Sequence, residues 1–351
     1  MQQDSTRNIP KAELHVHVEG TVRPDIARQL AKKNGVTLPD DIFTPDGQGY
    51  QWSGFIDLVT RVYQAMAQCV RTRDDFKTIT EDYLDRCAKE GAVYVEIIAC
   101  CGQTHLSGIS YKDMIDGIAD GIDAARAKHG IEARINMTFE RHRPGVEAQN
   151  DADMILSYKH PYIVGLDIAG GEMAGDIPQF LNDYNRVVQN FGRPLGIRLH
   201  AAENVGPQNG WDALALNPTR LGHGVRIIED DTLVNEIVQR GIALEVCPTS
   251  NILAGVYPDF AAHPLKKLMD RGVRISLNSD DPGLFGNSIG EEYRVAHDEF
   301  GLTRDQLVQV TRDAINDSYA DAALKTKLLA RVDAMVAANF NVRRPGPAPS
   351  P

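Results

Sequence analysis

The sequence predicts an α/β fold, a parallel (β/α)8 TIM barrel with a helical lid insertion after its first strand, on three observations. Eight short runs of β-branched or alternating apolar residues recur along the chain, helical patterns fill the intervals, and no two runs are joined by a hairpin signal. Parallel strands need crossovers of a dozen or more residues, so this rhythm favours a barrel over an open doubly wound sheet. The GxGxxG turn that a dinucleotide-binding sheet would carry after its first strand is absent.

The strands are expected at residues 12–18, 92–99, 132–139, 162–168, 195–200, 219–222, 242–246 and 273–277. Amphipathic helices are expected at 111–129, 177–191, 231–240 and 264–271, several of them closing on or beside glycine. One interval breaks the rhythm: about seventy residues separate the first two strands, where a single helix would need about fifteen. The excess holds a turn-rich stretch at 40–49 (DDIFTPDGQG) and then an apolar helical pattern of Phe55, Leu58, Val59, Val62, Tyr63 and Met66. Because it follows a strand, the insertion lies over the carboxyl face of the barrel, where barrel enzymes keep their sites. Residues 1–8 are polar and the RRPGPAPSP segment at 343–351 is too rich in proline to pack, which predicts one domain over 1–342 between mobile ends.

A chain of 351 residues, 42% hydrophobic and 24% charged, has ordinary globular composition. With 48 acidic and 37 basic residues its formal charge is −11, and no lysine or arginine block interrupts that balance, which argues against nucleic acid as a partner. A signal pattern and an apolar run of membrane-spanning length are both absent, so a cytoplasmic protein without a membrane partner is expected. The five cysteines lack CxxC spacing and read as reduced and structural, with a pocket-wall position open to Cys247.

The chemistry gathers at strand ends. On the first strand, alternation sends His15, His17 and Glu19 to one face and Leu14, Val16 and Val18 to the other. Strand five ends at His200 and strand eight at Asp280. A closed barrel brings strand eight beside strand one, so these groups converge on the carboxyl mouth. Three imidazoles and one carboxylate (His15, His17, His200 and Asp280) suit one Zn2+ with a position left for water. His223 after strand six, Glu203 three residues beyond His200, and Asp281 beside Asp280 reach the same mouth. Zinc lowers the pKa of bound water from 15.7 to about 7, a histidine takes or orients a proton, and a carboxylic acid protonates the substrate. His223 is assigned as base and orienting group, and Glu203 as acid. His105 and His142 follow strands two and three but stay outside the metal set, His142 because it stands between Arg141 and Arg143.

The segments PKAELHVHVEGT, GLDIAGGE, RLHAAE, RLGHGVR, EVCPTSN and SLNSDDP, spread from Pro10 to Pro282, occur in the order of the adenosine deaminase family, and the chain resembles that family. The resemblance implies the (β/α)8 fold and one zinc ion on His15, His17, His200 and Asp280. It implies that Glu203 protonates the purine ring, that His223 assists the attacking water, that Asp281 hydrogen-bonds the ring, and that the backbone at Gly170 approaches the base. The substrate is then a small purine, contacted from the side of His17 and Glu19, and carbon six loses its amino group as ammonia. The HxE…PCxxC arrangement of base-editing zinc deaminases is absent.

Two-metal amidohydrolases also begin from HxH on strand one, but they bridge their metals with a lysine at the end of strand four, where this chain has Ala169-Gly170. A non-catalytic barrel has no support while every proposed ligand and catalytic group is present. For the substrate, the resemblance pulls both ways. Adenosine deaminases usually carry aspartate at the position of Glu19, set to bond the ribose, whereas adenine deaminases often carry glutamate. The stretches 167–172 and 220–224 look more like the nucleoside branch. Adenosine is the leading expectation, with deoxyadenosine beside it, in purine salvage. Adenine, with Glu19 closing the sugar site, or a larger 6-aminopurine nucleoside is the alternative.

Overall fold

A computed structural model describes residues 6–340, the side chains of Phe55 and Phe340 apart. Its eight strands are β1 (Lys11–His17), β2 (Ala92–Cys100), β3 (Glu132–Glu140), β4 (Ile163–Ala169), β5 (Gly196–Ala201), β6 (Arg220–His223), β7 (Ala243–Val246) and β8 (Ile275–Leu277). Each pairs with the next in parallel, in the order β1 to β8. A parallel Val16–Asp280 bridge brings β8 back to β1, so the eight strands form a nearly closed barrel. The strands are buried along almost their whole length, as parallel strands covered on both faces are.

All eight strands lie where the apolar runs predict them, with bounds shifted by at most two residues. The helices Tyr111–His129 and Asp231–Arg240 coincide with their expected spans. The helix expected at 264–271 is trimmed to Leu265–Asp270. The one expected at 177–191 splits into a 3-10 turn, Ile177–Phe180, and a helix, Leu181–Asn190.

Between β1 and β2 the extra chain forms the helix Pro24–Asn34, an irregular stretch bridged by Phe43 and Tyr50, and a helical segment whose centre, Leu58–Tyr63, is a π-helix. Leu58, Val62 and Met66 of its expected apolar face are buried, while Val59 and Tyr63 turn toward the mouth of the barrel. The helix Arg73–Lys89 then returns the chain to the barrel wall.

One local irregularity breaks the alternation of β1, and one expectation, for the N-terminus, needs correction. The β1 ladder has a register shift between Glu13 and Val16, a bulge that sends Glu13 outward to Tyr83 and Ser279 while His15 points inward to Glu245. Simple alternation would have put both on one face. At the N-terminus, residues 6–8 are tied down rather than loose. The buried ammonium of Lys11 recruits carbonyl oxygens from Thr6 (3.1 Å), Ile9 (2.9 Å) and Glu90 (2.8 Å), and Asn339 donates to the Asn8 carbonyl. Residues 1–5 and the proline-rich segment 343–351 lie outside the described residues. Among the described residues, no helix is long and apolar enough to cross a membrane.

The barrel interior is charged where barrels are usually filled by aliphatic layers. At its amino end Tyr319 inserts below Gly165 and Gly196; a Cβ on Gly196 would stand 2.1 Å from the Tyr319 ring, so glycine is what leaves room for this plug. Arg220 stacks on that ring at 3.7 Å and pairs with Glu96 at 2.5 Å and Glu245 at 2.9 Å. One layer higher, Arg198 joins Asp167 (2.7 Å) to Glu245. All five charged residues are fully buried. Bare charges cost several kcal/mol each to bury, so their close mutual pairing is what makes the layer tenable. The histidines stand on top of it.

Candidate active site

His15 and His17 leave the end of β1, His200 the end of β5, and His223 closes β6. Their convergence depends on Gly222, which pairs with His200 across the ladder. A Cβ there would approach His15 Cε1 and the His200 Cα to 3.1 and 3.2 Å. Asp280 lies three residues beyond β8 instead of at its end. It is held in the left-handed region (φ +65°) by two bonds to β1, His17 N–H to Asp280 O at 3.0 Å and Asp280 N–H to His15 O at 3.2 Å. Among the described residues, three of the four non-glycine positions with positive φ (Ala202, His223 and Asp280) are at this mouth, the kind of stored strain that functional sites carry.

The four expected donors come together. Asp280 Oδ1 stands 3.3 Å from His15 Nε2 and 3.4 Å from His17 Nε2, and His17 Nε2 stands 3.3 Å from His200 Nε2. The far nitrogens of two rings are held by carboxylates: His15 Nδ1 lies 3.1 Å from Glu245 and His200 Nδ1 3.0 Å from Asp167. A carboxylate in that place keeps the proton on Nδ1 and turns the Nε2 lone pair inward, the outer-shell arrangement of metal-bound histidine. His15 Nε2 is buried without a hydrogen-bond partner. An orphaned lone pair, a second imidazole nitrogen at contact distance and a buried carboxylate fit a cation. The alternative grouping of His15, His223 and Asp280 with Cys247 is also compact, but the Cys247 thiol is buried and already lies 3.6 Å from the Glu245 carbonyl.

The electrostatics agree with a cation site. Burial holds His17 down to about 3 and His200 below the usual imidazole range, so both rings are neutral and each can offer a lone pair. Burial acts the same way on His15, but the carboxylates of Asp280 and Glu245 beside its two nitrogens outweigh it and raise the group to about 9. The same carboxylates would favour a metal in place of that proton.

Around the donors the catalytic candidates are also buried. Glu203 Oε1 is 3.7 Å from His223 Nε2, and Asp280 Oδ2 is 3.9 Å from it. Burial, with Asp280 and Glu172 adding to it, pushes Glu203 up to about 8, and burial with Asp280 pushes Asp281 well above the carboxylate range. Glu203 is therefore a neutral acid near pH 7, able to donate a proton, and the same burial favours the acid form of Asp281. Glu172, from the stretch after β4, receives the backbone N–H groups of Glu203, Asn204 and Val205 at 3.0, 2.7 and 3.0 Å on one oxygen, which pins the loop that presents Glu203.

These groups open into a cavity of about 310 Å³ walled by His17, His200, Glu203, His223, Asp280 and Asp281 and bordered by Gly170, with φ +97°. Glu19 does not line it. β1 ends at His17, Val18 turns helical (φ −60°, ψ −40°), and Glu19 opens a 3-10 turn that tucks its carboxylate behind the insertion, 3.3 Å from the Tyr63 hydroxyl. Tyr63 faces the cavity in its stead. His105 and His142 line the outer wall, half exposed and largely exposed, away from the donor set. Cys100 and Glu140, the last residues of β2 and β3, were not singled out from the sequence, although their strand-end positions were the available signal.

A family model for adenosine deaminase matches residues 10–335. An adenine deaminase from Agrobacterium fabrum is 38% identical over 328 residues, covering 93% of this chain and 99% of that protein. One from Rhizobium meliloti is 38% identical over 326 residues, covering 93% and 98%. Among solved structures, an adenine deaminase from Arthrobacter aurescens superposes with a TM-score of 0.84 at 26% identity, covering 93% and 99% of the two chains. A zinc-bound amidohydrolase from Burkhoderia ambifaria superposes with a TM-score of 0.83 at 25% identity, covering 95% and 93%. With its barrel, its donor set and a match along nearly its whole length, the chain belongs to the adenosine deaminase family and is a hydrolytic deaminase.

Proposed function

We propose that the protein deaminates adenine to hypoxanthine and ammonia, with one zinc ion held by His15, His17, His200 and Asp280. The observation that carries the choice of purine is the near full-length similarity to adenine deaminases at 38% identity. It supports adenine better than adenosine, which the stretches 167–172 and 220–224 favour. Two features of the cavity support a small neutral substrate. Its volume of about 310 Å³ is at the lower end of the ~300–1,000 Å³ range of small-ligand pockets. The one arginine lining it among the described residues, Arg143, faces Glu140, Glu147 and Asp151 at 3.4, 3.1 and 3.7 Å, which leaves little cationic character for a substrate phosphate. The zinc-bound relative supports the choice of metal.

Zinc at this donor set would supply a water acidified toward neutrality. The chain's own groups do the rest. Glu203, neutral near pH 7, protonates ring N1 and makes carbon six electrophilic. Asp281, whose acid form is favoured by burial and by Asp280, hydrogen-bonds the ring, and the backbone at Gly170 approaches the flat base. His223 holds the attacking water through Nε2. The water oxygen bonds to carbon six and the bond to the amino nitrogen breaks; N1 keeps the proton from Glu203, one water proton leaves on the ammonia and the other returns to Glu203. Glu19 sets the position of Tyr63, and the segment Leu58–Tyr63 closes over the base as a lid. Ammonia release from adenine, adenosine, deoxyadenosine and adenosine monophosphate by the zinc-loaded enzyme tests this reading. The highest kcat/KM is expected for adenine. A higher value for adenosine would return the substrate to the nucleoside while leaving the deaminase chemistry in place.

A further inference from the structure

Histidine has two neutral tautomers, and which one His223 adopts decides whether it offers the site a lone pair or an N–H. Three hydrogen bonds determine it from outside. The backbone N–H of Leu265 can only donate, and it lies 3.2 Å from His263 Nδ1. That nitrogen is therefore an acceptor, and the proton of the His263 ring sits on Nε2. His263 Nε2 lies 3.1 Å from Asn251 Oδ1, and Asn251 Nδ2 lies 3.1 Å from His223 Nδ1. Turning the Asn251 amide round would face its NH2 against the Nε2–H of His263, so the amide has one orientation. Its NH2 donates to His223, Nδ1 accepts, and the remaining proton of His223 is on Nε2.

His223, Asn251 and His263 are all buried, and edge contacts with Tyr257 (5.1 Å) and Phe300 (5.5 Å) hold the His263 ring in place. The Nε2–H of His223 points to the gap flanked by Glu203 at 3.7 Å and Asp280 at 3.9 Å.

We propose that Asn251 and His263 are positioning residues that lock His223 as the Nε2–H tautomer, so that His223 donates a hydrogen bond to the attacking oxygen instead of taking its proton. The backbone of Leu265, more than forty residues from His223 in the chain, is the origin of that choice. This replaces the base role that residue type alone had suggested for His223. It rests on the deaminase reading only for what the N–H does; the tautomer itself is independent of substrate.

Nitrogen-15 NMR of zinc-loaded protein labelled in its histidine rings reads the tautomer directly, with the His223 signals identified by their loss in His223→Gln. Signals of a neutral Nε2–H ring are expected; an Nδ1–H ring at His223 would overturn the proposal. Turnover supplies the second readout. Asn251→Asp keeps the shape but replaces the donor to Nδ1 with an acceptor, moving the proton to Nδ1. Its kcat should fall on the order of 10²-fold, as for loss of one donor to a developing oxyanion, while KM and zinc content stay near those of the parent. His263→Leu should lose part of the same rate, and His263→Gln, whose amide N–H can reach Asn251, should recover most of it. Equal losses in the leucine and glutamine variants, or a rate loss that merely follows zinc loss, would make the chain a packing feature and refute the positioning role. If Asn251→Asp fails to fold, the NMR of the unsubstituted protein and the His263 pair decide.

Discussion

Asp167→Asn separates the metal-supporting role of the barrel interior from simple packing, because it changes charge and donor pattern without changing shape. Asp167 receives Arg198 Nη1 at 2.7 Å, His200 Nδ1 at 3.0 Å and the His200 backbone N–H at 3.2 Å, all in full burial. Burial opposes its charge, yet Arg198 and His200 hold the carboxyl well below its usual range. An asparagine has one acceptor oxygen where three donors arrive. With its oxygen on Arg198, its NH2 faces both the backbone N–H and Nδ1 of His200, each 3.2 Å from that position, and relief at the ring comes by moving the imidazole proton to Nε2, which would remove the lone pair offered to a metal. Loss of such an outer-shell partner costs about 10–100-fold in metal affinity, or about 1.4–2.8 kcal/mol.

Breaking a buried ion pair costs about 3–5 kcal/mol of stability, and the lower end is expected here because Arg198 keeps Glu245. A depressed carboxyl contributes its stability above the unfolded pKa of about 3.9 and loses it as pH falls through the folded value, so the comparison belongs at pH 7 to 8. Competition against a colour-changing chelator reads affinity, and thermal unfolding with and without metal reads the rest. At equal free metal, tenfold weaker binding takes about 1.4 kcal/mol from the metal-dependent part of stability. Zinc affinity within twofold of the parent would show that Asp167 does not orient His200, and the reasoning would fail.

Asp280→Ala and His15→Ala should each lose zinc and turnover together, since each deletes a donor; full zinc content in folded variant protein, measured by elemental analysis, would contradict the assignment. Glu203→Gln should keep zinc and lose about 10²-fold or more in rate. The raised carboxyl of Glu203 is in its acid form below about 8, so parent activity should decline as pH rises through that value, and the residual activity of Glu203→Gln should lack this limb. A limb of the same position in both proteins would remove Glu203 from the proton path. Gly20→Ala places a Cβ 1.7 Å from Asp281 Oδ1, so the Asp281 carboxyl must move. Its KM should rise with zinc retained, and an unchanged KM would mean that Asp281 does not contact substrate.

Much of this protein is legible in its sequence because strand formation and side-chain alternation are local. The eight apolar runs mark the strands, and residues at their carboxyl ends are bound to share one mouth once the sheet closes. His15, His17 and His200 could be read that way, and Asp280 nearly so, although it occupies a strained turn three residues past β8. What local pattern does not carry is any contact whose partners meet only on closure. Glu245 holds His15 across 230 residues and Asn278 caps the Leu14 amide across 264. The bulge in β1, the turn that withdraws Glu19 behind Tyr63, and the Leu265–His263–Asn251 chain that reaches His223 all belong to this class. The sequence determined which groups could do the chemistry. Only the tertiary structure decided the proton positions, charge states and cavity walls, since these depend on which buried donor faces which buried acceptor after the barrel has closed.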